Sequence, residues 1–506
     1  MTSFARRVFL LASLLVATGC APRKIAADGG VSARDTATLE CAFTIVGGGV
    51  GGLHTAFRLG ALYGAQVCLF EKEPRLGGRI YDITKEPNAD GPYIAAGGRR
   101  IMEGQKLLFD LAGELGLALE QPELDADLVF VRGMYSTNKD DFVKIYPGVH
   151  YDAGKGDAET QLLRQLLQSP ERRRIEKYPD FKSYARAVVG ADGYRYLRDV
   201  SRFRGDFEYP LSALGYVDYL EEELEVCCKA SYPRGGMSAF VRGMEQKARS
   251  SGVRIFLSEP VLSVDREGAA YRLVSSKHRI AAQSVVLAVP PQALQRISGT
   301  VAEQIRAQPQ FKALVGIRVV TVAQWFDEPW WKAVHTADNK EIWRAWTTGS
   351  CINFVEIPQE EYAAAQHVIR AVYCDQPECV SMWEKLATGS PDKLAAEVHK
   401  GLVHLFEKNG ITTPVHVPEA TRTMFQLWPD AWYYVRAGTP FSNKDIFDWA
   451  VEPLAGERVG LVNEAYNPQR AAWSDAAYKS SNHLLRKKYD LNAGASPTSP
   501  RVEGMR

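Results

Sequence analysis

The chain has few cysteines, no surplus of either charge and no apolar run of membrane-spanning length. Eight cysteines in 506 residues are too few for a disulfide scaffold, and none is spaced as CxxC, so a zinc ribbon is excluded. Cys227 and Cys228 are adjacent, and neighbours rarely bridge. Cys374 and Cys379 could pair in an oxidising compartment, although small buried apolar side chains are the plainer reading. Lys plus Arg number 61 and Asp plus Glu 60, a formal charge of +1, which removes any reason to expect nucleic acid. The nine histidines show no HxxxH spacing, so no metal is assigned. No GxSxG is present, which leaves no local sign of a serine hydrolase. With 46% apolar and 24% charged residues, the composition is that of a globular protein.

The first twenty residues read as an address. Arg6 and Arg7 precede the apolar stretch Val8 to Ala17, which is too short to cross a bilayer about 30 Å thick. Ala17-Thr18-Gly19-Cys20 resembles a bacterial lipobox, which implies cleavage before Cys20 and lipid on its sulfur. Ala5 to Leu10 resembles a twin-arginine export signal, a general secretory signal holding two arginines being the alternative. Residues 1–19 are thus a signal peptide and 20–40 a tether. The expected location is the periplasmic side of the cell envelope, lipid-anchored, on the outer membrane if the source is Gram-negative.

Folded sequence begins near Cys41. The apolar run Ala42 to Val46 reads as a strand, and Gly47, Gly49 and Gly52 form a GxGxxG. Leu53 to Tyr63 has helical periodicity, and Gln66 to Phe70 reads as a second strand closed by Glu71. Such a βαβ unit binds dinucleotides. Gly47 allows the tight turn, Gly49 admits the pyrophosphate and Gly52 brings the helix close to the strand, while Glu71 can accept hydrogen bonds from ribose hydroxyls. The block Leu76-Gly77-Gly78-Arg79 follows at once, and a nicotinamide site has no use for it.

GxGxxG, an acid and then LGGR resemble the flavin-containing amine oxidase superfamily. Further matches are Tyr232 to Met237, the strand around Val261, Val285 to Pro291, Val459 to Ala465 and Trp473 to Ala477. Asn463, Asp475 and Ala476 depart from the family's Gly, Glu and Gly. The resemblance implies an α/β fold with a Rossmann-type FAD-binding domain from three segments, 41–100, 232–298 and 426–487. It further implies a helical region over 101–231, a mixed-sheet substrate domain over 299–425 and a loose tail over 488–506. The cofactor-binding residues carried over are Gly47, Gly49, Gly52, Glu71, Gly78, Arg79, Gly97, Arg99, Val261, Glu464 and Trp473. The monoamine oxidases tether flavin through a cysteine between Cys379 and the C-terminus; none lies there, so the expectation is non-covalent FAD.

Within the superfamily, Ala96 to Ile101 resembles the GGxR motif whose arginine grips the substrate carboxylate in L-amino acid oxidases. One register makes that residue Arg100 and a tighter one makes it Arg99; a flavin-phosphate contact or a structural ion pair is the alternative for either. Pro309 to Leu314, Glu328 to Trp331 and Val372 to Asp375 distantly resemble the L-tryptophan oxidases of violacein biosynthesis. This marks Lys312 and Tyr373 as catalytic and substrate-binding candidates beside Arg100, because the family's usual lysine column falls on Gly316. Trp428 is a further pocket candidate. Solvated lysine and ordinary aromatic packing are the alternatives for Lys312, Tyr373 and Trp428. Ile101 to Leu117 reads as a helix, and Glu171 to Arg174 as a solvated helix face.

The expected function is oxidation of the C–N bond of an L-amino acid or amine to an imine, with O2 or another acceptor taking the electrons. A desaturase of a lipophilic substrate and a non-catalytic flavin-fold lipoprotein are the alternatives. The membrane is met through the lipid anchor only, and a homodimer is left open.

Overall fold

The computed structural model describes residues 38–84, 93–122, 126–226, 229–358 and 367–491. The expected signal peptide, Cys20, Cys227, Cys228 and residues 492–506 lie outside the described residues.

One sheet runs in the order Arg254–Phe256, Val67–Phe70, Leu39–Val46, Arg279–Leu287, Ala270–Ser275, Val261–Glu267, with Val459–Leu461 also on Arg279–Leu287. Its central pairs are parallel, and their register sets Val46 beside both Phe70 and Leu287, with Leu287 beside Leu461. Four strands therefore end abreast, immediately before Gly47, Glu71, Ala288 and Val462. In open α/β sheets that carboxyl edge is the ligand crevice. The helix Val50–Tyr63 starts from this edge and buries Leu53, Ala56, Phe57 and Leu59 of the periodic set that predicts it, whereas Leu62, the fifth, is exposed. It ends at Gly64, whose φ of +50° few other residues adopt.

The second sheet runs Arg422–Val435, Leu314–Trp325, Val368–Cys374, Phe354–Glu356, Ile342–Thr347, Ala126–Val131, Met134–Ser136. Arg422–Val435 pairs along nearly the whole of Leu314–Trp325, so the expected division at 425/426 falls inside a strand. Two strands of this sheet come from the region expected to be helical. The rest of that region is mostly helical, including Ala158–Gln168, Phe181–Val200 and Ala213–Val226, with short strands at Ile101–Met102, Leu119–Glu120 and Ala230–Pro233. The final helix, Ser474–Tyr489, runs past the expected start of the tail at 488.

Two readings are corrected. Ile101 and Met102 pair with Ala230 and Ser231 as a short strand, and the helix is only Lys106–Leu115, because Gly104 interrupts the run and Gly116 (φ +69°) caps its end. Cys379 bonds to Cys351, not Cys374, while Cys374 is a free thiol buried on Val368–Cys374. A second disulfide, Cys41–Cys68, joins the first two strands of the nucleotide sheet. Burial pushes the Cys374 thiol far up, as does the nearby Asp375 carboxylate. Glu171 to Arg174 lies in the 3₁₀ helix Pro170–Lys177, where Arg172 pairs with Asp218 at 3.3 Å and also with Glu221.

Candidate active site

The glycine turn has the shape its spacing demands. A Cβ on Gly52 would stand 2.0 Å from the Gly47 carbonyl oxygen, and one on Gly47 2.5 Å from that of Ala288. Gly49 differs: a Cβ there would meet nothing within 4 Å. The helix behind it has no side-chain cap and no acid in its first turn, so its first N–H groups face this open space. Gly78 approaches from the other side, its φ +57° and its built Cβ 3.2 Å from Gly49 Cα. Glu71 accepts from Gly48 N–H at 2.6 Å and Glu73 N–H at 2.8 Å. Burial raises its carboxyl above the usual range and these two donors oppose the shift. The loop, the open space and the carboxylate suit the pyrophosphate and ribose of a dinucleotide. Val261 is buried at the start of the strand Val261–Glu267 of the same sheet.

Arg79 forms a tight group with the C-terminal segment. It donates to Glu464 Oε2 at 2.8 Å, Asn463 Oδ1 at 2.8 Å and the Ala431 carbonyl at 2.6 Å. Asn463, where the family has glycine, thus serves Arg79. Glu464 also accepts from Tyr433 N–H and Ala472 N–H, both at 3.2 Å. Gly97 lies against Arg79, a Cβ there being 1.8 Å from the Arg79 carbonyl oxygen. The chain then crosses to the second sheet, where Trp428 Nε1 donates to the Ala96 carbonyl at 2.7 Å.

That crossing delivers both candidate arginines to one buried carboxylate. Arg99 Nη1 is 2.8 Å and Arg100 Nη1 3.0 Å from Glu356 Oε1, while Arg370 pairs with Oε2. The Glu356 side chain is wholly buried; Arg99 also lies over the Tyr232 ring and Arg370 over that of Tyr373. Burial, then Arg99, pushes the Arg370 guanidinium down to about 9. Tyr373 is therefore beside this cluster. Its phenol is raised by burial, with Arg370 opposing. Trp473 precedes the last helix and donates Nε1–H to Glu223 Oε2 at 2.6 Å. Burial raises the Glu223 carboxyl, with Trp473, Arg100, Arg202 and Arg470 opposing. Lys312 does not join the group: it is exposed at the end of the short helix Pro309–Lys312. Gly316 has no room for a lysine, since a Cβ there would be 2.1 Å from Asp430 Oδ1.

Sequence reasoning missed Glu356, Arg370, Arg202 and Glu223. A signal existed for the first two: a single charge inside an otherwise apolar strand must be paired. Arg202 and Glu223 sit among many helical charges and carry no such mark. His54, on the first helix, is a core residue: it bonds Ser481 Oγ at 2.9 Å, and burial, then Arg58, pushes it down to about 3.

A dinucleotide crevice at the ends of parallel strands, with a second mixed sheet that carries a cationic cluster, defines a two-part nucleotide-dependent enzyme fold. The model of the family described as flavin containing amine oxidoreductase matches residues 50–457. The chain belongs to that family, and is an oxidoreductase acting on amines with a flavin cofactor, FAD. It is 23% identical to Aplysianin-A of Aplysia kurodai over 568 aligned positions, 98% of each chain. It is 36% identical to amine oxidase [flavin-containing] A of Sus scrofa over 90 residues, 18% of this chain and 16% of that one. Among solved structures, putrescine oxidase bound to putrescine superposes with a TM-score of 0.60 at 17% identity, over 89% of this chain and 100% of that one. A redesigned variant of that oxidase gives 0.61 at 16% identity, with the same coverage. At this identity the likeness is one of fold.

Proposed function

We propose that the protein oxidises the C–N bond of an L-amino acid, giving an imine that water converts to keto acid and ammonia, with O2 reduced to H2O2. One observation carries the reading: Arg100 and Arg370 share the single carboxylate of Glu356, so positive charge is left over beside Tyr373. A substrate carboxylate would supply the missing charge, and a planar guanidinium can grip it with two parallel bonds. A lipophilic desaturase substrate has no group for this cluster.

The residues that would hold FAD are the Gly47–Gly52 loop at the pyrophosphate, Glu71 at the ribose, and the Arg79–Glu464 pair with Trp473 toward the ring. The chemistry a bound FAD would supply is acceptance of a hydride from the α-carbon. Arg100 orients that carbon through the carboxylate, and Glu356 holds Arg100 in place. Trp473 and Tyr373 supply apolar walls that exclude water.

FAD is held non-covalently, so acid precipitation should leave a colourless pellet; yellow pellet would overturn this. The protein is exported and anchored through lipid on Cys20, so Cys20→Ala should release it to the soluble fraction. Replacing Arg6 and Arg7 by Lys should stop export if the twin-arginine route is used; normal export would assign it to the general pathway. The deciding test of the reaction is anaerobic bleaching of the flavin by a panel of amino acids and amines. Bleaching by amines alone would sink the amino acid reading.

A further inference from the structure

Arg202 is the cation that the amino acid reading leaves unused. It lies just past the helix Phe181–Val200, and its guanidinium stacks over the rings of Phe203 and Phe354, 5.8 Å from each centroid. Those rings flank Tyr373, with centroids 6.0 and 6.1 Å from its own. Asn353, fully buried, fixes the spacing by donating to the carbonyls of Arg202 at 2.9 Å and Tyr373 at 3.2 Å. Arg202 thus lies over the two rings that flank Tyr373, yet it forms no ion pair among the described residues.

Its neighbours make that costly. Arg344 and Arg100 are the like charges that act on it, with Asp127 and Glu159 opposing, and Asp127 is already matched to Arg344 at 2.7 and 2.9 Å. Glu223 acts on Arg202 from beyond ion-pair distance and is bonded to Trp473. One Arg202 Nη is buried with no hydrogen-bond partner. Burial, then Arg344 and Arg100, pushes the guanidinium down to about 9, so it stays charged at neutral pH. A half-buried charge with one enclosed nitrogen and an unmade hydrogen bond is retained at a penalty unless a ligand completes it.

We propose that Arg202 receives a second anionic group of the substrate, so that the preferred substrates are L-amino acids whose side chain ends in a carboxylate. The proposal rests on the amino acid reading above. Arg100, with Arg370 and Glu356, takes the α-carboxylate; Arg202, over the Phe203 and Phe354 rings beside Tyr373, takes the side-chain carboxylate. No bond is made or broken at Arg202, which is a specificity residue.

The test compares L-glutamate and L-aspartate with their neutral amides, L-glutamine and L-asparagine, on the flavin-loaded enzyme. A charge-assisted hydrogen bond predicts an acid-to-amide ratio in kcat/KM of about ten- to a hundredfold. Arg202→Gln should collapse that ratio toward one, and Arg202→Lys should restore part of it. A second measurement needs no variant: non-oxidisable glutarate should perturb the flavin absorbance at about tenfold lower concentration than valerate. Turnover of acids and amides at equal efficiency, a ratio untouched by Arg202→Gln, or equal binding of glutarate and valerate each overturns the inference and leaves amino acid oxidation standing. Turnover of amines alone overturns both.

Discussion

The nucleotide crevice and the arginine cluster are built in opposite ways. The crevice is made by main chain: a turn, the start of one helix and the ends of parallel strands, most of it between Val46 and Glu71. Its ligand-facing feature is an open space at Gly49, bounded by backbone. The cluster is made by side chains from distant segments: Arg99 and Arg100 from the crossing chain, Glu356 and Arg370 from the second sheet, Arg202 and Glu223 from the helical region. Its ligand-facing feature is charge. A crevice of this kind suits a cofactor common to a family, whereas a side-chain cluster can be retuned residue by residue for a substrate.

The sharpest break between the two comes from two glycines three positions apart. Gly52→Val would press on the Gly47 carbonyl, with a Cβ at 2.0 Å, and should leave no folded protein in a circular dichroism melt. At Gly49 a Cβ meets no atom within 4 Å, at an ordinary φ of −62°, so Gly49→Val should fold and yet carry no flavin absorbance. A flavin-loaded Gly49→Val protein would show that the open space is not the pyrophosphate's.

The cluster should respond in specificity while keeping its flavin. Losing one partner of a buried charge-assisted pair costs roughly 2–5 kcal/mol, so Arg100→Ala should lower kcat/KM for amino acids by about 30- to 4,000-fold. Flavin content should persist, and turnover of an amine without a carboxylate should fall far less. Equal losses for amine and amino acid would make Arg100 purely a partner of Glu356. If Arg99→Ala shows the selective loss instead, Arg99 is the clamp.

A smaller effect separates the regions by redox state. Cys41→Ser should remove about 2–4 kcal/mol from the nucleotide sheet, read as a lower midpoint in urea. Cys374, buried and with its thiol raised, should resist alkylation until the protein unfolds, as peptide mass spectrometry would show.

The smallest effect is a pH slope near the cluster. Asp206 accepts from Tyr216 and Tyr434 hydroxyls, both at 3.0 Å, and burial lifts its carboxyl to about 7 while those bonds oppose. The folded state then holds this proton more tightly than the unfolded chain does. Stability from this group is therefore greatest below about pH 4 and declines as pH rises toward 7. Asp206→Asn should flatten that part of the stability profile; an unchanged slope would assign it to other groups.

Local pattern made the crevice legible. The GxGxxG, the flanking apolar runs and Glu71 specify strand, turn, helix and strand within one short stretch, and parallel pairing then brings Leu287 and Leu461 beside Val46. The same reading went wrong where contacts are long-range. Ile101 and Met102 look helical in isolation, but a partner strand at Ala230–Pro233 claims their backbone. Cys379 lies nearer in sequence to Cys374 than to Cys351, yet Cys374 faces the core. Lys312 shares a local motif with a distant relative and sits exposed on a short helix. By itself the sequence determined the cofactor-binding unit, because backbone geometry there follows from neighbouring residues. Only the tertiary structure decided that Glu356 gathers Arg99, Arg100 and Arg370, and that Arg202 has no ion pair among the described residues, because the balance of buried charge depends on which distant side chains share one interior.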